Sequence, residues 1–184
     1  MTKLIIGLTG KIAAGKGTVA AYLSNRYQAE IFGFSTPLRD ILTRLYQDAT
    51  RPRMASLSSL LRELFGQDLL SRTITLDLQK TSSAIAVLDG IRRLPDISQA
   101  RQLPNFQLIQ VVTDEKIRYE RLTKRQQNPD DVDKTFAEFL ADEQKEADRS
   151  IPEIMALADY RLDNNGDLDN LHRQIDELMG KLKI

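Results

Sequence analysis

The sequence predicts an α/β domain built on a parallel sheet. Three observations carry that expectation. Five short segments rich in β-branched and apolar residues alternate with long helical stretches, the order expected of strands joined by right-handed crossovers. The first, third and fourth of them are apolar almost throughout, as strands covered on both faces are. A glycine-rich turn carrying a lysine follows the first segment and leads into a helical run.

In chain order the expected strands are KLIIGLT (3–9), AEIFGFS (29–35), AIAVLDG (84–90), FQLIQVVTD (106–114) and DYRLDN (159–164). Each is bounded by turn-forming residues. Between the second and third lie about fifty residues, more than one crossover helix needs. This insert, 36–83, contains TPLRDILTRLYQDA (36–49) and a longer stretch, 56–83. In the longer stretch Leu57, Leu60, Leu61, Leu64, Leu69, Leu70, Ile74 and Leu78 recur at helical spacing. Most of these leucines are expected in the core, and the insert is a candidate helical subdomain closing over a second ligand. After the fourth strand, residues 115–150 read as two helices joined at Asn128-Pro129-Asp130, a strong breaker. A last helix is expected to be capped near Asp167. No repeat, low-complexity tract or Gly/Ser linker interrupts residues 1–184, so one domain is expected.

Bulk composition narrows the function. Lys plus Arg and Asp plus Glu are both 26, so there is no broad positive field for nucleic acid or an anionic membrane. The chain has no cysteine, which excludes disulfides, thiolate catalysis and cysteine-based zinc sites. Its N-terminal apolar run is too short for a signal peptide, and nothing approaches the roughly 18 apolar residues of a membrane span. A cytoplasmic location is the expectation.

The stretch GLTGKIAAGKGT (7–18) is the most specific signal. Gly10, Gly15 and Lys16 satisfy G-x-x-x-x-G-K between a strand and a helix, the context a phosphate-binding loop requires. Glycines let successive N–H groups turn toward an anion, and the helix N-terminus adds partial positive charge. Ala13, Ala14, Gly17 and Thr18 complete the expected nucleotide-binding set. Lys16 is the expected catalytic cation on the β- and γ-phosphates. The hydroxyl usual after the lysine is delayed by one position, to Thr18.

Strand ends supply the other candidates, because ligands of parallel sheets bind beyond the carboxyl ends of the strands. Asp89 is placed to hold a metal-bound water or orient an acceptor, and Arg92 to clamp an acceptor phosphate. Ser35 is placed to cap the helix that begins near Pro37. Arg39, and more weakly Arg62, are further candidates for the acceptor. Arg118, Arg121 and Arg125 share one helical face, where pairing with Glu115 or Glu120 is the plain alternative; Arg121 and Arg125, and more weakly Arg118, are the candidates for stabilising transition-state charge. Asn164 and Gly166 are candidates for contact with a nucleotide base. His172, the single histidine, is expected on the surface of the last helix.

GLTGKIAAGKGTVAAYL, FSTPLRDIL, LRELFGQDLL, VLDGIRRL, VVTDEKIRYERLTKR and ALADYRLDNNGDLDNL together resemble the P-loop nucleotide kinases. These include adenylate kinase-like, deoxynucleoside monophosphate kinase-like and dephospho-coenzyme A kinase-like proteins. The resemblance implies a P-loop NTPase fold of the nucleoside monophosphate kinase type: a five-stranded parallel sheet of order 2-3-1-4-5 with helices on both faces. It further implies an acceptor-binding insert at 36–83, an arginine-bearing lid at 115–150, and ATP with Mg²⁺ held through water and the phosphates near Asp89. The sequence departs from the group at three places. Ala13 and Ala14 stand where further glycines are common. Phe34-Ser35 replaces the aspartate pair of bacterial dephospho-coenzyme A kinases, and Asp142 replaces an arginine of their archaeal relatives. The implied activity is transfer of the γ-phosphoryl group of Mg-ATP to a small phosphorylated acceptor, a nucleoside or deoxynucleoside monophosphate. The alternatives are dephospho-coenzyme A kinase and a nucleotide-binding regulatory protein with weak ATPase activity.

Overall fold

The structure is a computed structural model that describes residues 4–125, 135–143 and 149–182. Five strands, β1 (Leu4–Thr9), β2 (Glu30–Gly33), β3 (Ile85–Asp89), β4 (Phe106–Val112) and β5 (Tyr160–Asp163), form one sheet of order β2-β3-β1-β4-β5. Every neighbouring pair is parallel, with Leu8 opposite Asp89 on one side and Ile109 on the other. All five expected strands are present, each shorter than expected, the second most of all.

Alternation along the strands divides the core in two. Leu4, Ile6 and Leu8 point to one face with Ile85, Val87, Ile109 and Val111. There they meet Val19 and Leu23 of α1 (Lys16–Tyr27) and Leu171, Ile175 and Leu178 of α9 (Leu168–Lys181). Ile5, Ala86, Leu88 and Leu108 point to the other face. That side is covered by α2 (Thr36–Arg44), α4 (Leu69–Lys80), α5 (Leu94–Ser98) and α8 (Ile151–Ala156). The last of these has no counterpart among the expected elements.

In the insert, Gly66, at φ 100°, ends α3 (Arg51–Phe65), so the helical pattern over 56–83 is carried by two helices. Leu70, Ile74 and Leu78 of α4 are buried against the sheet, but Leu60 and Leu64 of α3 are exposed. The reason is that α3 packs mainly on α2 and α4 and turns Met54, Leu57 and Leu61 inward, so only one side of its leucine pattern is covered.

After β4 come α6 (Glu115–Arg125) and α7 (Phe136–Asp142). The Asn128-Pro129-Asp130 turn lies outside the described residues. Thr135 caps α7 reciprocally with Glu138. The cap expected at Asp167 is present, its Oδ1 accepting from Asn170 N at 2.8 Å. His172 sits on α9 as expected and stacks on Tyr22, with ring centroids 3.9 Å apart. Strand direction brings the ends of all five strands to one edge of the sheet, and the glycine-rich turn lies there.

Candidate active site

The loop between β1 and α1 has a backbone shape that its sequence explains only in part. Gly10 has φ 149°, and a Cβ there would stand 2.5 Å from the carbonyl oxygen of Val111. The chain therefore passes directly over β4. Gly15 is the N-cap of α1 at φ 100°. Ala13 takes φ 58°, a left-handed conformation that an alanine adopts at a cost of roughly 1 kcal/mol. Gly17, in contrast, has nothing within 4 Å of where a Cβ would be. No contact among the described residues demands glycine at that position, and its missing side chain leaves the first turn of α1 open.

Lys16 closes the loop from within. Its Nζ donates to Gly10 O at 2.7 Å and to Lys11 O at 3.2 Å, which places the ammonium across the mouth. The first N–H groups of a helix have no intrahelical partner, and the first turn of α1 contains no acidic residue to take them. Thr18 is exposed beside them. A cavity of about 710 Å³ adjoins the loop, lined in part by Lys11, Ala14, Thr113, Lys116 and Arg118.

Two side chains from distant strand ends hold the loop from beneath. Asn164 Nδ2 donates to Ala14 O at 2.8 Å, and Thr113 Oγ1 donates to the same oxygen at 2.9 Å. Both residues are buried. The Asn164 amide thus acts on the loop backbone. Gly166 is exposed in the following turn.

Arg118 is a structural arginine. It is 2% exposed and donates from Nε to Thr113 O at 3.0 Å and from Nη1 to Ile12 O at 3.2 Å. Its Nη1 also pairs with Glu143, and its guanidinium lies over the Phe139 ring. The pairing with Glu115 or Glu120 invited by the sequence gives way to these longer-range bonds, because the side chain points inward. Glu143 Oε2 in turn accepts from Lys11 Nζ at 2.8 Å. One carboxylate therefore joins the end of α7 to α6 and to the loop. Arg121 lies on the same side of α6, half-buried, and its Nη1 is buried with no hydrogen-bond partner among the described residues. The Arg125 side chain lies outside the described residues.

A second group of cations, Arg39 of α2, Arg62 of α3 and Arg92 and Arg93 after β3, lies on the β2–β3 side of the sheet. Gly90, at φ 92°, turns the chain after β3, and Asp96 Oδ2 then accepts from Arg92 N at 3.1 Å and Arg93 N at 2.9 Å. Burial pushes the Asp96 carboxyl above its ordinary range, opposed by those two backbone bonds and by the charges of Arg93 and Arg62. Ser71 Oγ donates to Asp96 O at 3.0 Å, fastening α4 to this turn. Arg62 donates to Ser58 Oγ at 2.7 Å. Arg39 and Ser35 are exposed at the start of α2. Ser35 occupies the N-cap position, but its hydroxyl makes no cap hydrogen bond, because its own backbone is already helical at φ −85°, ψ −12°. Asp89 ends β3 half-buried beside β1, its carbonyl accepting from Phe34 N.

Thr113, Lys11 and Glu143 are absent from the sequence-based candidates. Thr113 carried a signal, a polar residue closing the apolar run of β4. The other two pair across 132 positions, and no local pattern marks them.

No protein-family model matches the chain. A UPF0200 protein of Methanothermobacter thermautotrophicus is 27% identical over 183 residues, covering 99% of this chain and 92% of the relative. A UPF0200 protein of Sulfurisphaera tokodaii is 27% identical over 179 residues, 97% of each. Among solved structures, shikimate kinase from Bacteroides thetaiotaomicron superposes with a TM-score of 0.65 at 15% identity, over 98% of this chain and 99% of that one. TT1252 from Thermus thermophilus gives 0.64 at 21% identity over the whole of both chains. The fold is that of the P-loop kinases.

Proposed function

We propose that the protein is an ATP-dependent phosphotransferase whose acceptor is a nucleoside or deoxynucleoside monophosphate. The observation that carries this reading is the loop itself. Gly10, Ala13 and Gly15 turn the chain around the helix N-terminus, and Lys16 lies across it. That arrangement suits a chain of phosphates and little else.

In this reading the backbone from Ala13 to Thr18 binds the β- and γ-phosphates, and Lys16 leaves its carbonyl partners to follow the charge that moves during transfer. Arg121, with a buried Nη1 that lacks a partner among the described residues, supplies positive charge to the transferring group, and Arg125 assists from the next turn. Phosphoryl transfer needs positioning and charge neutralisation, not a protein nucleophile. Among the described residues no three His, Cys, Asp or Glu side chains gather around a cation site. Mg²⁺ would take its ligands from phosphates and water, with Asp89, at the end of β3 beside β1, supporting that shell.

The acceptor assignment rests on arginines. Arg92 stands on a turn stiffened by Asp96, and the charges of Arg62 and Arg93 both reach that same carboxylate. Arg39 approaches from α2. Such a group of cations suits an anionic acceptor, and in this reading the acceptor's phosphate is the group that takes them.

The test is ADP release from Mg-ATP against all ribo- and deoxynucleoside monophosphates, dephospho-coenzyme A and shikimate, with Lys16→Ala as control. Stimulation by one monophosphate, lost in Lys16→Ala, is expected. Stimulation by a hydroxyl acceptor alone overturns the acceptor assignment and leaves the kinase. A flat panel with ATP still bound overturns the kinase.

A further inference from the structure

The loop that is read above as a phosphate site already holds a carboxylate at its rim. Glu143 is 11% exposed and uses both oxygens, one on Arg118 and the other on Lys11. The two partners differ in kind. Arg118 is 2% exposed and also donates to the carbonyls of Thr113 and Ile12, so it is fixed whatever Glu143 does. Lys11 is 39% exposed, and its ammonium donates to Glu143. Its own carbonyl accepts from Lys16 Nζ at 3.2 Å, so the two lysines flank one stretch of backbone.

We infer that Glu143 is an internal competitor for the donor's phosphates: a phosphate oxygen displaces it from Lys11, and Lys11 then becomes a second phosphate-binding cation beside Lys16. The inference rests on the phosphate-site reading and adds a specific exchange to it. A carboxylate and a phosphate oxygen offer an ammonium the same kind of charge-assisted hydrogen bond. Lys11 cannot serve both fully, so the two must be linked. Linkage is reciprocal. A nucleotide that takes Lys11 loosens the hold of Glu143 on the loop and with it one attachment of α7. Arg118 keeps the other, so the helix is eased and not cast off.

The sign of the effect separates this from an ordinary stabilising ion pair. A pair that merely shapes the loop predicts weaker nucleotide binding when it is broken. Competition predicts the reverse. Glu143→Gln keeps the shape and removes the charge, and Mg-ATP binding measured by calorimetry is expected to tighten about five- to tenfold, the lower range of coupling between linked sites. Lys11→Met is expected to weaken binding. In the Lys11→Met background Glu143→Gln should give no further tightening. Unchanged or weaker binding in Glu143→Gln overturns the inference, and so does a gain that persists without Lys11, which would be plain charge repulsion.

Should Glu143→Gln not fold, amide exchange over Phe136–Asp142 in the unaltered protein decides the matter, with inorganic tripolyphosphate as the probe. Faster exchange on binding supports the competition; slower or unchanged exchange overturns it. If the unaltered protein binds neither Mg-ATP nor tripolyphosphate, the phosphate-site reading falls and takes this inference with it. If it binds both and Glu143→Gln is no tighter, the inference alone falls.

Discussion

Asn164 and Gly15 are fitted to each other: a Cβ on Gly15 would collide with Asn164 Nδ2, the atom that donates to Ala14 O. Gly15→Ala must therefore displace a buried amide and force an alanine to φ 100°. A loss of about 2 kcal/mol is expected. Asn164→Ala alone should cost about 1 kcal/mol, since Thr113 still serves Ala14 O. The double variant should lose about 1 kcal/mol less than the sum, because the collision is gone. Urea unfolding of the four proteins measures this, and strict additivity would refute it.

Arg118 and Arg121 lie one turn apart on α6, and their variants should fail differently. Arg118→Met removes donors to two backbone carbonyls and to Glu143, so a stability loss of about 2–3 kcal/mol is expected. Arg121→Met removes a guanidinium whose buried nitrogen has no partner among the described residues. It should leave the melting temperature nearly unchanged and lower kcat about 10³-fold, the lower end of what such arginines supply. Melting curves and steady-state rates on the acceptor identified by the panel distinguish the two.

Ala13 makes a third test. Ala13→Gly relieves the left-handed strain but adds freedom to the unfolded chain, and the two effects are similar in size. Stability should change by less than about 0.5 kcal/mol. Ala13→Val, β-branched in the same conformation, should cost about 2 kcal/mol. Equal melting temperatures for the two variants would show that the loop backbone is not held as described.

Asp96 gives a pH dependence. Burial raises its folded pKa above the ordinary 3.8, so the folded protein holds this proton to higher pH than the unfolded chain does. Stability from this group is therefore greatest below the unfolded value, falls as pH rises through the folded one, and is flat beyond it. Asp96→Asn keeps an acceptor for Arg92 N and Arg93 N and removes the titration. Urea unfolding between about pH 3.5 and 6 should show the fall in the parent and not in the variant, relative to the shared titration of other carboxylates.

The sheet and its order were legible because their signals are local: apolar runs, turn residues and one glycine pattern. The resemblance supplied the strand order, and the pairings agree with it. The leucines of α3 misled, because helical spacing reveals a helix but not which neighbour covers it. In the site, Gly10, Gly15 and Lys16 were readable from spacing alone. Asn164 was singled out, yet its contact with Ala14 O spans 150 positions and no local rule gives it. Arg118 read as one of three similar arginines. Only the inward turn of its side chain onto Thr113 and Ile12 sets it apart.

The two props under Ala14 come from residues 113 and 164, at the ends of β4 and β5. During synthesis the glycine-rich turn leaves the ribosome long before either prop exists. The nascent chain can pair β1 with β3 and still lack a shaped anion site. Nucleotide would then bind only to chains synthesised past Asn164, and a ligand that favours the finished form would act as a late checkpoint on folding. A truncation ending before β5 would carry the complete glycine motif and bind no phosphate.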